Sequence, residues 1–297
     1  MQQFTVRVPA STSNLGAGFD CLGVALRVYN TVTIKRSASR DGHPSVIVSE
    51  AADRFFKQAR LRAFPFSCSI AEEIPRSRGL GSSATIRAGV LIGLNRVSGN
   101  PLDRLTIFRV CAELEGHPDN AAPAIFGGFT VIATADSIHL RRRYPDTSPD
   151  VRRFAVSSRL HFVLFVPALQ IETSRARKIL PSQISHAAAT ANCANACATT
   201  AAFVSQDYAT LRGVFIDHLH QPFRERLLPF LPDVIGAAEE AGALGAFLSG
   251  SGSSIAAVSV GSSTKIAEAM ARAANTPGRT IITHADNRGA RISISNL

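Results

Sequence analysis

With 297 residues, 45% of them hydrophobic and 18% charged, the chain can bury a sizeable core and is long enough for two domains of ordinary size. Its net charge of +10 suits anionic partners, but the basic residues are dispersed, Trp is absent, and the one run, Arg141 to Arg143, reads as the cap of a solvated loop. Small anionic molecules fit the charge equally well, and nucleic acid is not the expected partner. No stretch of about 18 apolar residues marks a membrane span. The start, M-Q-Q-F-T-V, lacks the basic and apolar regions of a signal peptide, so a cytoplasmic protein is the expectation.

Phe4 to Val8 alternates as a strand and is expected to stop at Pro9, where A-S-T-S-N-L-G-A-G-F-D reads as an irregular loop. Asn14 and Asp20 are its chemically specific groups. Either they bind a ligand, or Asn14 closes a turn while Asp20 caps a short helix through Leu26. Asn30 to Ile34 alternates as a second strand. A polar loop over 36–45, a strand from Val46 to Val48, a helix from Ala51 to Leu61 and a strand from Phe64 to Ile70 follow.

That last strand feeds P-R-S-R-G-L-G-S-S-A, residues 75–84. Gly79 and Gly81 permit positive φ and a close approach to a ligand, and Ser82 and Ser83 add hydroxyls where a helix begins. Ile86, Val90, Leu94 and Val97 mark that helix, whose N-terminus aims unpaired N–H groups at the loop. The result reads as a phosphate cradle without the Lys of a Walker A loop or, taken in isolation, as an ordinary strand-to-helix turn. Asn100 and Pro101 read as the cap of the next helix, which passes Leu105, Phe108, Cys111 and Leu114 and ends at Glu115 and Gly116. A carboxylate at that end faces the negative pole of the dipole, so Glu115 needs a cation beside it. A hydroxyl such as that of Ser83 and one acid are the usual minimum for the magnesium of a nucleotide. His117-Pro118-Asp119-Asn120 is a dense polar turn, in which Asp119 could serve only to order the chain.

A strand from Phe129 to Ala133, a polar loop over 136–149 and a domain boundary near Ser157 complete the first half. The second opens with a strand from Leu160 to Val166. In T-S-R-A-R-K-I-L-P, Arg175 and Arg177 read as lying near the start of a helix, where they oppose its dipole and one is held by an anion or both are solvated. Ser185 to Val204 is an Ala-rich helix. Its Cys193 and Cys197 share a face at i, i+4, but with only His186 nearby they are expected as buried thiols rather than a zinc site, like Cys21, Cys68 and Cys111. Tyr208 to His218 reads as a further helix, His218 and His220 as structural, and Arg224, stiffened by Pro222 and Phe223, as an anion ligand. A second glycine loop, L-S-G-S-G-S-S, lies between apolar strands, before a helix from Ser263 to Ala274. Alternating strands and helices in both halves imply an α/β or α+β sandwich, and no internal repeat is present.

Three stretches, V-P-A-S-T-S-N-L-G-A-G-F-D, P-R-S-R-G-L-G-S-S-A and L-S-G-S-G-S-S, together resemble the motifs of the GHMP small-molecule kinases. E-G-H-P-D-N-A-A-P-A-I-F-G-G-F, T-S-R-A-R-K-I-L-P and H-Q-P-F-R are most similar to the homoserine kinases within them, so the likeness runs from Val8 to about Val258. Departures occur at Ala17 and Ser253, where the family commonly has Pro, and at Ala188 and Asn195, where it often has Asp and Arg. The resemblance implies an α+β two-domain GHMP kinase fold: a ribosomal protein S5 domain 2-like N-terminal ATP-binding domain over 1–157 and a ferredoxin-like C-terminal domain over 158–297. It implies ATP on Arg78, Gly79, Leu80, Gly81, Ser82 and Ser83 with Gly250 and Gly252, and Mg²⁺ on Ser83 and Glu115. Asn14, Asp20, His117, Arg177 and Arg224 would hold homoserine, the arginines on its carboxylate and Asp20 on its ammonium. Ser83, Glu115 and Arg177 are then the catalytic set, acting in threonine biosynthesis, in a homodimer by family expectation. A kinase for another small alcohol and a non-catalytic metabolite-binding relative are the alternatives.

Overall fold

The computed structural model describes residues 3–37, 45–133 and 150–293, so the arginine run and most of both expected polar loops lie outside the described residues. Two antiparallel sheets organise the chain. The first has the order β10 (Arg291–Ser293), β1 (Gln3–Asn14), β2 (Gly18–Arg36), β4 (Phe129–Ala133), β5 (Asp150–Phe154), with β3 (Phe66–Glu72) also on β2; the second has the order β7 (Gly245–Leu248), β8 (Ile255–Ser259), β6 (His161–Pro167), β9 (Gly278–His284).

In the first sheet, β1 (Gln3–Asn14) and β2 (Gly18–Arg36) form one long hairpin. β1 does not stop at Pro9. The register shifts between Pro9 and Ala10, a bulge that tolerates the missing N–H, and pairing resumes to Asn14. No helix follows Asp20 either: Leu22, Val24 and Leu26 alternate, and all three are buried in the core between the sheets. β3 (Phe66–Glu72) pairs with the far half of β2, and β4 (Phe129–Ala133) with its near half. β5 (Asp150–Phe154) pairs with β4. β10 (Arg291–Ser293) covers the outer edge of β1, with Val6 opposite Ile292.

Four helices among the described residues cover this sheet. α1 (Val46–Ala59) begins where a strand was expected, because Val48, Ala51, Ala52, Phe55 and Phe56 recur at helical spacing and are all buried. α2 (Ser82–Val97) follows the glycine loop. α3 (Arg104–Glu115) is capped by Asp103, whose side chain accepts from Thr106 N, rather than by Asn100. Asn100, at φ 60°, instead closes the end of α2 by donating its N–H to Asn95 O at 2.8 Å. α4 (Ala121–Phe126) leads to β4.

The second sheet comprises β6 (His161–Pro167), β7 (Gly245–Leu248), β8 (Ile255–Ser259) and β9 (Gly278–His284). α5 (Thr173–Lys178) is so short that Arg175 and Arg177 fall in its last turn, where the dipole favours them instead of opposing them. α6 (His186–Ser205) is capped by the Ser185 side chain. Its Cys193 and Cys197 are exposed, against the expectation of buried thiols; Cys111 is buried, and Cys21 and Cys68 are intermediate. Among the described residues no group of three or more His, Cys, Asp or Glu is arranged to hold a metal. The helix expected from Tyr208 to His218 shrinks to one 3₁₀ turn, Tyr208–Leu211, followed by Gly213 at φ 77°. α7 (Gln221–Arg224) is a single turn whose first N–H groups are taken by the Asp217 carboxylate. α8 (Leu231–Glu240) and α9 (Ser263–Ala274) back the second sheet. No helix among the described residues is long and apolar enough to cross a membrane.

α2 lies close on the first sheet through two glycines. A Cβ at Gly89 would stand 2.5 Å from Val32 Cγ2, and one at Gly93 would stand 2.5 Å from Ile34 Cγ1. Alanine favours a helix by about 1 kcal/mol per glycine replaced. Even so, the double variant Gly89→Ala/Gly93→Ala is expected to lose about 1–3 kcal/mol by overpacking. Urea unfolding measures the change, and a net gain would show that α2 can lift off β2 without cost.

Candidate active site

The three glycine-bearing stretches meet at one place. Gly79 and Gly81 take φ values of 70° and 67°, and neither has room for a side chain: a Cβ would fall 2.0 Å from Ser249 O in the first case and 2.2 Å from Ser11 Oγ in the second. Small residues on β1 make this approach feasible. Ser11 N donates to Leu80 O at 3.2 Å, Ser249 Oγ donates to Gly79 O at 2.7 Å, and Asn14 Nδ2 donates to Gly250 O at 3.0 Å. The first and third motifs thus hold the second in shape.

The loop opens on a cavity of about 310 Å³ lined by Arg78, Gly79, Leu80, Gly81, Ser82 and Ser83 on one side and by Asn14, Asp20, His117, Arg177 and Arg224 on the other. Ile47 of α1 and Ile86 of α2 add apolar wall. α2 begins at Ser82, so its free N–H groups and positive dipole end face the loop. The buried Ser82 hydroxyl has no hydrogen-bond partner among the described residues, an orphaned donor where a phosphate oxygen would supply one. The cradle fits a polyphosphate.

Glu115 ends α3, with Gly116 in the left-handed cap position. Both of its carboxylate oxygens are engaged. Ser83 Oγ donates to Oε2 at 2.6 Å, and Arg87 Nη1 donates to Oε1, while Arg87 Nη2 lies 3.1 Å from Glu50 Oε2. The cation that the helix dipole demands beside Glu115 is therefore present as a guanidinium. Adjacent hydroxyl and carboxylate oxygens beside a phosphate cradle are also the hard donor set that suits Mg²⁺, which takes few protein ligands and completes its shell with phosphate and water.

At the other end, Asp20 sits at φ 59° and Asn14 at φ 73°, conformations uncommon for residues other than glycine. Asn14 Oδ1 accepts from Asp20 N at 3.1 Å, so its side chain spans two motifs. Asp20 and Arg177 face each other as a two-pronged pair, with Arg177 Nη1 to Asp20 Oδ2 at 2.9 Å and Nη2 to Oδ1 at 2.6 Å. Arg224 is only 1% exposed; its Nε donates to Ala176 O at 3.2 Å and its Nη1 to Gly250 O at 2.9 Å and to His220 Nδ1 at 3.1 Å. Burial, and then the neighbouring Arg177, push its pKa down to about 10. A guanidinium only donates and a carbonyl only accepts, so His220 is the neutral tautomer with its proton on Nε2, given to Gly16 O at 3.0 Å. Burial accordingly lowers its pKa to about 4. His117 Nδ1 lies 2.6 Å from Asp119 Oδ1. Burial opposes charge on both, but their mutual hydrogen bond and attraction prevail, raising the pKa of His117 and lowering that of Asp119. Phe19 lies under both arginines, 5.4 Å from Arg177 and 5.5 Å from Arg224.

The structure thus brings together the expected residues except Gly250 and Gly252, which stand behind the loop while Ser251 reaches the cavity. Arg78 lines the cavity, but its guanidinium is spent on Pro167 O and Ala168 O. Sequence reasoning missed Arg87, Asn120 and Phe19. Arg87 stands one helical turn after Ser83, a spacing that puts both on one face. Asn120 ties Ser11 and Ser13 of β1 to the turn after α3.

Two family models match the chain: the GHMP kinases N terminal domain over residues 46–128 and the GHMP kinases C terminal domain over residues 201–279. A homoserine kinase of Caldicellulosiruptor bescii is 36% identical over 266 residues, covering 86% of this chain and 83% of the relative. One from Halothermothrix orenii is 33% identical over 306 residues, covering 96% and 95%. The crystal structure of homoserine kinase from Cytophaga hutchinsonii superposes with a TM-score of 0.86 at 26% identity, covering 99% of this chain and 98% of that one. With the phosphate cradle and the arginine-lined cavity beside it, these likenesses show that the chain belongs to the GHMP kinases, ATP-dependent small-molecule kinases, and among them to the homoserine kinase family.

Proposed function

We propose that this chain phosphorylates the side-chain hydroxyl of L-homoserine, transferring the γ-phosphoryl group of ATP in line to give O-phospho-L-homoserine and ADP. The observation that carries this reading is the Asp20–Arg177 pair with buried Arg224 behind it, in the same cavity as the glycine loop. A carboxylate and two guanidiniums offer matching charge to both ends of an amino-acid zwitterion. The substrate ammonium takes Asp20, its carboxylate takes Arg177 and Arg224, and the exchange replaces one ion pair with two. A neutral alcohol has nothing to give back for the pair it would break.

The loop from Gly79 to Ser83 and the α2 N-terminus hold the polyphosphate; Ser83 and Glu115 would hold the metal. Mg²⁺ bound there supplies charge neutralisation at the phosphates. Phosphoryl transfer asks little covalent chemistry of the protein, so positioning and electrostatics provide most of the acceleration. Asp20 is committed to the ammonium and Asp119 to His117, so the hydroxyl proton passes to an oxygen of the transferred phosphoryl group, and from there to water, without a dedicated protein base. The proposal also places the reaction in threonine biosynthesis, in the cytoplasm and in a homodimer, expectations supported by the family resemblance alone.

A panel of L-homoserine, L-threonine, L-serine and mevalonate with ATP and Mg²⁺ tests the assignment, with ADP and the phosphorylated product measured together. Turnover selective for L-homoserine is expected. In Asp20→Asn, the KM for L-homoserine is expected to rise about 10- to 100-fold while that for ATP holds. Preference for mevalonate, or an unchanged KM, would reassign the acceptor.

A further inference from the structure

Among the described residues, Arg87 is the cation that touches the candidate metal ligand, and it does so from a built position. Its side chain is 16% exposed, Glu115 is 4% exposed, and Glu50 on α1 holds the far prong of the guanidinium. Its Nη1 covers Oε1 of Glu115, while Oε2 is left to the Ser83 hydroxyl and the cavity. The Arg87 Nε is buried without a hydrogen-bond partner among the described residues, so the fork is aimed at the two carboxylates at the expense of its third direction. A surface ion pair would not be kept at that cost.

A fixed guanidinium on one oxygen of a carboxylate has two effects on a metal at the other. It fixes which oxygen is presented, and it repels the incoming cation. In the absence of phosphates, Glu115 already lies against a guanidinium whose other prong is held by half-exposed Glu50, and a free divalent ion gains less from it than from a bare carboxylate. When a polyphosphate occupies the cradle, its own negative charge outweighs Arg87 and the same oxygens become a favourable site.

We infer that Arg87 is a positioning residue that makes divalent-metal binding at Ser83 and Glu115 conditional on bound nucleotide, by clamping Oε1 of Glu115 and repelling a free cation until phosphates arrive. The inference rests on the proposed metal role of Glu115. It implies that metal and nucleotide enter together and that the empty enzyme does not sequester divalent ions.

Mn²⁺ binding, followed by the paramagnetic resonance of the free ion, tests it with and without a non-hydrolysable ATP analogue. The parent protein is expected to bind Mn²⁺ weakly alone and tightly with the analogue. Arg87→Gln is expected to bind Mn²⁺ about 10- to 100-fold more tightly than the parent in the absence of the analogue. Arg87→Met, which keeps the aliphatic stem, is expected to move the same way, and Arg87→Lys, which keeps the charge, is expected to stay near the parent. Circular dichroism and analogue binding establish that each variant is folded. A merely structural arginine predicts equal or weaker metal binding when it is removed, so affinities in Arg87→Gln and Arg87→Met no higher than the parent's would overturn the inference. Glu115→Gln separates it from its premise. If that variant keeps the analogue-dependent Mn²⁺ site, the metal assignment falls and the inference with it; if it loses the site while the neutral Arg87 variants stay at the parent level, the inference alone falls.

Discussion

Glu115→Gln is expected to lower kcat by about 10²- to 10³-fold at saturating ATP and acceptor. The amide matches the carboxylate in size, so α3 and its Gly116 cap are undisturbed, and an amide oxygen can still accept from Arg87. What disappears is the negative charge beside Ser83. A metal held there would meet a neutral ligand and a guanidinium balanced by Glu50 alone, so the neutralisation of the phosphates in the transition state would be lost while the contacts of the acceptor would not. The KM for L-homoserine should hold, since Asp20, Arg177 and Arg224, the groups proposed to meet its two charges, make no hydrogen bond to Glu115. Turnover measured across a Mg²⁺ titration checks this. Full magnesium-dependent turnover in the variant would remove Glu115 from the metal site.

Arg224→Met is expected to damage both stability and substrate binding. Its guanidinium is almost wholly enclosed and supplies donors to Ala176 O, Gly250 O and His220 Nδ1; methionine fills much of the volume and supplies none. Leaving such acceptors unmet should cost about 2–4 kcal/mol in urea unfolding. The KM for L-homoserine should also rise about 10- to 100-fold, because a charged hydrogen bond to its carboxylate goes with the side chain. His220 reports the change independently. Burial still depresses its pKa, but the guanidinium that also lowers it is gone, so the value should rise from about 4 when followed by NMR. A variant as stable as the parent, with unchanged KM, would make Arg224 a bystander.

Much of this site could be read from sequence because glycine and charge have few uses at such spacings. Gly79, Gly81 and the serines after them announce a backbone that must approach something closely, and Glu115 at the end of its helix demands a positive neighbour. The first motif was less legible. Pro9, Gly16 and Gly18 read as punctuation and Gly23 falls within the short helix that Asp20 would cap, yet a bulge absorbs the proline, and a strand that must pass close to Asp119 has no room for a side chain at Gly23. Helix ends were misjudged where one polar residue serves a neighbour, as with Asn100 closing α2 while Asp103 opens α3. Pairing was the least visible property. Nothing local tells Asp20 that it faces Arg177, or Arg87 that it lies between Glu50 and Glu115, because those partners are 157, 37 and 28 positions away.

The return of β10 to β1 sets the order of assembly. β1 carries the first motif, yet the strand that seals its outer edge occupies residues 291–293, made after the whole second sheet. The turn before it is fastened to the first layer: Asp286 N donates to Ala25 O, Gly128 N donates to Asp286 O, and Tyr29 OH donates to the Asp286 carboxylate. On the ribosome, the first sheet must therefore wait, with a bare edge strand, until synthesis has passed through the second. An open edge of this kind invites pairing with other chains. Loss of residues 286–293 would thus expose the newly made polypeptide to aggregation before any question of catalysis arose.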